Sequence, residues 1–239
     1  MNYVTFGQKK KPAIVFLHGW GGSIDSWISI AKRFAGFGFY SVVLDFWGFG
    51  SSPEPKEPIG LEEYAVGVEA IINDLGLEKV SIVGHSFGGR VAIMLASRNK
   101  IDVWRLVLVD SAGVKPRRGI VYQYKVWRYK RLKIKVKKGL VDSSILDSYG
   151  SSDYKLLSPV MKQIFIRVVN LDLICYAKGI KAETLLIWGR KDKDTPLYMA
   201  RKFKRAIKNS RLVVYPAGHY SYLDCMDEFV DELYTFLIY

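Results

Sequence analysis

Gly84-His85-Ser86-Phe87-Gly88-Gly89 sets a serine among glycines, directly after the apolar run Val80-Ser81-Ile82-Val83 and directly before a stretch of helical composition. A serine on a tight strand-to-helix turn projects its hydroxyl clear of the backbone, and the flanking glycines remove side chains that would collide there. The positive end of the following helix then lies beneath it, with the Phe87 N–H facing a developing oxyanion. Such a serine attacks a carbonyl only with a base to take its proton and a third group to orient that base. The chain has 3 histidines. His18 and His85 lie inside glycine-rich motifs, where turn packing is their expected role, which leaves His219 of Ala217-Gly218-His219-Tyr220 as the base. For the acid, Asp192 in Trp188-Gly189-Arg190-Lys191-Asp192-Lys193-Asp194-Thr195-Pro196 is favoured. Asp194 is alternatively a cap for the helix that Pro196 opens, and Asp110, ending an earlier apolar run, is a second orienting carboxylate.

These groups need a frame that brings distant segments to one edge. Apolar, β-branched runs of strand length recur at 13–17, 41–45, 80–84, 106–110, 184–188 and 211–215, with helix-length segments at 27–37, 61–75, 88–99 and 196–207. Runs so continuously apolar suit strands buried on both faces, and the strand-helix alternation predicts an α/β fold, a mostly parallel sheet with helices on both faces. Residues 227–239 read as a closing amphipathic helix and 2–6 as an antiparallel edge strand. The serine, the histidine and the favoured aspartate all follow strands, at the carboxyl edge of that sheet. The alternation breaks once, over 114–181, which is far longer than a crossover and reads as a helical cap on that edge. The expected division is a core of 1–113 and 182–239 with a cap of 114–181.

The 239 residues are 49% apolar and 25% charged with 8 prolines, which excludes disordered and collagen-like chains. No apolar run approaches the ~20 residues of a membrane span. The amino-terminal Met-Asn-Tyr-Val-Thr-Phe-Gly-Gln-Lys-Lys-Lys-Pro lacks the long apolar stretch of a signal peptide, so a cytoplasmic location is expected. Cys175 and Cys225 show no metal-ligand spacing and are expected to be buried free thiols. The net charge of +13 is concentrated. Lys115, Arg117, Arg118, Lys125, Arg128, Lys130, Arg131, Lys133, Lys135, Lys137 and Lys138 are interrupted by no Asp or Glu, while the other 25 basic residues nearly balance 23 acidic ones. One segment therefore has a surface of its own.

Through these motifs the chain resembles the α/β-hydrolase superfamily over essentially its whole length apart from the cap. The order Ser86, Asp192, His219 is the family's serine, acid, histidine order. His18-Gly19-Trp20-Gly21-Gly22-Ser23 resembles the family's oxyanion loop, which implies the Trp20 N–H as a second donor beside that of Phe87. Asp45-Phe46-Trp47-Gly48-Phe49-Gly50-Ser51-Ser52 resembles the loop after the next strand, a structural signature. The resemblance implies an α/β-hydrolase fold with its cap inserted after the family's sixth strand. It also implies an acyl-enzyme on Ser86. The sequence shows no metal site and no phosphate-binding glycine loop, so no metal and no cofactor are expected.

On this reading the chain is a carboxylesterase-like serine hydrolase acting on a small to medium ester. Arg90, one helical turn after Ser86, is a candidate substrate contact that would hold a carboxylate. That role would favour an alternative, a carbon–carbon bond hydrolase or lyase acting on a carboxylated ketone. The favoured reading of Arg90 is a structural bond to a loop carboxylate or backbone carbonyl. A third function, from another class, is a slow-turnover binding protein on the same scaffold. The cap segment Val121-Tyr122-Gln123-Tyr124-Lys125-Val126-Trp127-Arg128-Tyr129 is expected to turn its bases to solvent and pack its aromatics down over the acyl pocket. A weak contact with an anionic surface is the competing expectation, and no nucleic-acid partner is expected.

Overall fold

The structure is a computed structural model and describes residues 1–116, 119–142, 144–145, 154 and 156–239. Arg117 and Arg118 of the basic segment lie outside the described residues, as do the side chains of Val121, Tyr122 and Lys125. The strands are β1 (Tyr3–Phe6), β2 (Ala13–Leu17), β3 (Tyr40–Leu44), β4 (Lys79–His85), β5 (Asp102–Val109), β6 (Glu183–Gly189) and β7 (Ser210–Tyr215). They form one sheet in the order β1-β3-β2-β4-β5-β6-β7, parallel throughout except for β1, which pairs antiparallel with β3. Every residue of β2 and β3 is buried, as a sheet covered on both faces requires.

The helices are α1 (Ile28–Gly36), α2 (Leu61–Asp74) and α3 (Phe87–Arg98), then α4 (Ile120–Lys137), α5 (Pro159–Val169) and α6 (Ile174–Ala177) between β5 and β6. After these come α7 (Tyr198–Ala206), α8 (Ser221–Asp224) and α9 (Met226–Ile238). One face of the sheet packs Val15, Leu17, Val42 and Leu44 against α2, α3 and α7; the other packs Ile14, Phe16 and Val43 against α1 and α9. The alternation along β2 and β3 thus assigns successive side chains to two separate cores.

The chain leaves the sheet after β5 and returns to it with β6, and α5 covers the opening between. Ser158 caps α5 by accepting from Met161 N at 3.1 Å, and Met161, Ile164 and Val168 join the core below. At the junction Leu173 N donates to the Gly113 carbonyl at 2.7 Å. The insertion therefore has a seated half in α5 and α6. No described side chain of α4 is buried.

Three expectations need correction. The run at 106–110 begins earlier, at Asp102, because Arg105 hides its charge in an ion pair with Glu183, and it ends at Val109, since Asp110 turns to φ 44°. The thiols are not buried: Cys175 is exposed on α6, which turns Ala177 inward instead, and Cys225 is half-buried where α8 meets α9. The aromatics do not all pack down: Tyr124 and Trp127 face solvent, Tyr129 is half-buried, and it is α5 that supplies buried residues to the core.

Candidate active site

Ser86 sits between β4 and α3 with φ 49°, a conformation that side chains other than glycine adopt at a cost. Backbone bonds on both sides hold it there. Ser86 N donates to the Val109 carbonyl at 3.0 Å, and the Ser86 carbonyl accepts from Ala112 N at 3.1 Å. The glycines are needed because the turn is crowded: a Cβ on Gly84 would lie 2.5 Å from the Gly88 carbonyl oxygen, and one on Gly88 would overlap the Leu17 and His18 carbonyls. The sequence motif is thus a packing requirement of the turn.

The structure brings the three separated residues into one chain of contacts. Ser86 Oγ lies 3.1 Å from His219 Nε2, and His219 Nδ1 lies 2.9 Å from Asp192 Oδ2. Asp192 is fixed by its own loop: Oδ1 accepts from Asp194 N and Thr195 N at 2.8 and 2.9 Å, and Oδ2 accepts from Thr195 Oγ1 at 2.6 Å. Burial opposes ionisation of Asp192, yet these donors and the His219 ring outweigh it and hold the carboxyl below its ordinary range. Burial likewise pulls His219 down, and the Asp192 hydrogen bond and charge more than reverse that, raising it above 6.5.

The alternatives to Asp192 have other occupations. Asp110 Oδ1 accepts from Gly189 N at 2.7 Å, and Oδ2 accepts from Ser221 N and Ser221 Oγ at 3.0 and 2.5 Å. It ties the acid loop to the histidine loop without bonding the ring, and burial pushes its carboxyl up to about 7. Asp194 does not cap α7, which starts later, at Tyr198, behind Leu197 and without a side-chain cap. Asp192, Asp194 and His219 offer ligand atoms within 4.8 Å of one another, the one such cluster among the described residues, and it is this same corner. His85 and His18 are packing groups. His85 Nε2 meets the His219 carbonyl at 2.8 Å, and burial lowers its pKa to about 3; His18 accepts from Phe46 N at Nε2, 3.0 Å, and burial lowers it too.

The Trp20 and Phe87 amides donate to no backbone carbonyl among the described residues. Two cavities meet at Ser86, one of about 400 Å³ and one of about 530 Å³, and Trp20, His219 and Tyr220 line both. The first is closed by Phe165, Val168 and Val169 of α5, and no described side chain of α4 lines it. Arg90 stands in its wall, buried, with its terminal nitrogens donating to the Leu171 and Val169 carbonyls at 2.9 and 3.2 Å. It thereby ties α3 to the carboxyl end of α5, and burial lowers its pKa to about 10. Asp45, in the loop with no assigned chemistry, accepts from Ile24 N and Ser51 N at 2.7 and 2.8 Å and so braces the loop that carries Trp20.

Thr195, Phe165 and Tyr220 escaped the sequence reading. For Thr195 a signal existed: an aspartate that bonds backbone N–H groups two and three residues on is a common local turn, and Thr195 is the third. Nothing local marks the other two, which reach the site through tertiary packing.

Comparison with known proteins decides the family. A family model described as alpha/beta hydrolase fold matches residues 12–132, just over half of the chain. The chain belongs to the α/β-hydrolase family. A second model, described as TAP-like protein, matches residues 173–236 of this α/β-hydrolase. An "AB hydrolase superfamily protein YisY" of Bacillus subtilis is 29% identical over 86% of this chain and 84% of its own. A 2-hydroxy-6-oxo-6-phenylhexa-2,4-dienoate hydrolase of Comamonas testosteroni is 25% identical over 91% of this chain and 84% of its own. Among solved structures, an esterase from Exiguobacterium antarcticum superposes with a TM-score of 0.75 at 22% identity, covering 98% of this chain and 93% of that one. Among the described residues no helix is long and apolar enough to cross a membrane.

Proposed function

We propose that this α/β-hydrolase cleaves small to medium carboxylic esters through an acyl-enzyme on Ser86. The observation that carries the reading is the Ser86–His219–Asp192 relay at 3.1 and 2.9 Å, opening at the junction of two cavities. His219 Nε2 takes the Ser86 proton as Oγ bonds to the ester carbonyl carbon. The carbonyl electron pair moves onto oxygen, where the Trp20 and Phe87 N–H groups receive it, each lowering the barrier by roughly 3–4 kcal/mol. Collapse expels the alkoxide, which takes the proton from His219. Water then repeats the attack with His219 as base, and Ser86 is released with its proton restored. Two cavities suit a substrate with bulk on both sides of the scissile bond, acyl group in one and alcohol in the other.

One observation favours the carbon–carbon reading: Arg90 stands at the cavity wall of a chain similar to a hydrolase of that class. The engagement of both its terminal nitrogens by carbonyls weighs toward esters. A series of nitrophenyl esters from acetate to octanoate, run beside a vinylogous diketone acid, tests the choice. Ser86→Ala is expected to lose at least about 10⁴-fold in turnover of the preferred substrate with its melting temperature kept. Retention of a tenth of the activity would remove Ser86 as nucleophile. A single burst of nitrophenol without turnover would instead mark a binding protein.

A further inference from the structure

The helix α4 carries two apolar stripes on opposite sides. Val126, Tyr129, Leu132 and Val136 follow one another at steps of three and four residues and are half-buried. Tyr124, Trp127 and Ile134, at steps of three and seven, lie on the other side and stay 56, 50 and 56% exposed. Arg131 falls on this outer line, its guanidinium 4.8 Å from the Trp127 ring centroid, and the Tyr124 ring stacks on Trp127 at 5.8 Å. A hollow of about 540 Å³ opens beside Ile134 and Val136, rimmed by Lys130, Lys133 and Lys137. The described basic side chains from Lys115 to Lys138 are all exposed, in a segment without a single Asp or Glu.

We propose that this outer stripe docks the protein on an anionic phospholipid surface. Tyrosine and tryptophan suit the boundary between headgroups and acyl chains, and flanking Lys and Arg side chains meet anionic lipids there. Nucleic acid would use the bases and could stack on the outward aromatics, but it would leave Ile134 and the hollow beside it without a role, and no nucleic-acid-binding motif accompanies the segment. A second copy docked through the same face would set bases against bases. Pro116, in the wall of the first cavity, precedes the start of α4 by four residues, so the chain holds that end of the helix within at most ~14 Å of the cavity wall. The proposal goes beyond ester hydrolysis and does not depend on it.

The test uses the full chain carrying Ser86→Ala, so that binding is read without turnover. It is sedimented with vesicles of phosphatidylcholine alone or mixed with phosphatidylglycerol. Binding is expected on the anionic vesicles only, and it should weaken from about 0.1 M to about 1 M salt, as the screening length falls from about 10 to about 3 Å. Arg128→Gln and Arg131→Gln are each expected to weaken it about fivefold. Tyr124→Ser with Trp127→Ser should abolish it while leaving helicity and melting temperature unchanged. Equal binding to both vesicle types, binding to neither, or full binding by the aromatic double variant would overturn the proposal. So would displacement from anionic vesicles by a short RNA that binds the aromatic double variant as well as the parent.

Discussion

The corner that holds Ser86, His219 and Asp192 and the helix α4 differ in the number of independent bonds that fix each side chain. At the corner each group is held by several bonds, and the loops are braced against one another. Ser86 is pinned by Val109 and Ala112, Asp192 by Asp194 and Thr195, and the loops bearing the acid and the base are joined to each other by Asp110. Along α4 no described side chain is buried, and the outer stripe is ordered by contacts along the helix itself, such as Arg131 over Trp127 and Tyr124 on Trp127. Chemistry at one atom needs the first arrangement, since a displacement of about 1 Å can cost roughly a hundredfold in rate. A surface that meets a fluid partner needs only composition and spacing.

If that contrast is right, the largest effects come from changing one atom at the corner. Asp192→Asn keeps the shape but offers His219 Nδ1 a donor or a neutral oxygen in place of a carboxylate. A loss on the order of 10⁴ in kcat is expected, as for the best-studied triad. Asp110→Asn should act on stability first: its oxygens accept from three donors, so an NH₂ there faces a donor and costs about 1–3 kcal/mol. Urea unfolding beside kcat separates the two, and a larger kcat loss for Asp110→Asn would move the orienting role to the end of β5.

The pH profile sharpens the same point. His219 must be neutral to accept the Ser86 proton, and its pKa is raised above 6.5 because Asp192 outweighs burial. Activity is therefore expected to rise with pH through an inflection above 6.5. Protonated His219 gains stability from Asp192, a contribution fully present below 6.5 and lost as pH rises through the raised value. In Asp192→Asn burial acts unopposed by that carboxylate, so the inflection in residual activity should move to lower pH. An unmoved inflection would mean that another group sets the profile.

The difference between these regions also explains what could be read from the residues alone. Buried parallel strands announce themselves as continuous apolar runs, and Gly84 and Gly88 announce the turn around Ser86 because crowding forbids a side chain at either glycine. The relay follows, since His18 and His85 are consumed by motif packing and only His219 remains. The acid stayed open among Asp192, Asp194 and Asp110 because all three follow strands and only the path of the loops, not spacing, decides which one faces the ring. Charge along α4 is plain in the sequence, but its apolar residues lie on both sides of the helix. Spacing alone does not tell which stripe turns inward, nor that α5 and not α4 supplies the buried residues over the core.

Arg90 lies between the two extremes, a corner residue whose bonds reach into the insertion. Arg90→Lys replaces a planar two-donor group that spans the Val169 and Leu171 carbonyls with a single ammonium. With one of the two bonds lost, a fall of about 1 kcal/mol in stability is expected. All ester substrates should lose kcat/KM alike through a loosened α5 over the cavity. A rise in KM confined to carboxylated substrates, with stability unchanged, would instead assign the guanidinium to substrate and favour the carbon–carbon reading.

The smallest effects are expected on α4, and they are the most direct check on the contrast. Tyr124→Ala, Trp127→Ala and Ile134→Ala each remove a large side chain about half-exposed on a helix with no buried described residue. Each should change unfolding free energy by less than about 0.5 kcal/mol, the usual bound for surface positions. Ile164→Ala on α5, at 0% exposure in the same insertion, removes a buried side chain and should cost about 2–5 kcal/mol. Urea denaturation of the four variants gives the comparison in one experiment. A cost of 2 kcal/mol for Trp127→Ala, about that of a buried residue, would mean that α4 packs on the body in solution. The outer stripe would then belong to the core of the insertion and would no longer be a free surface.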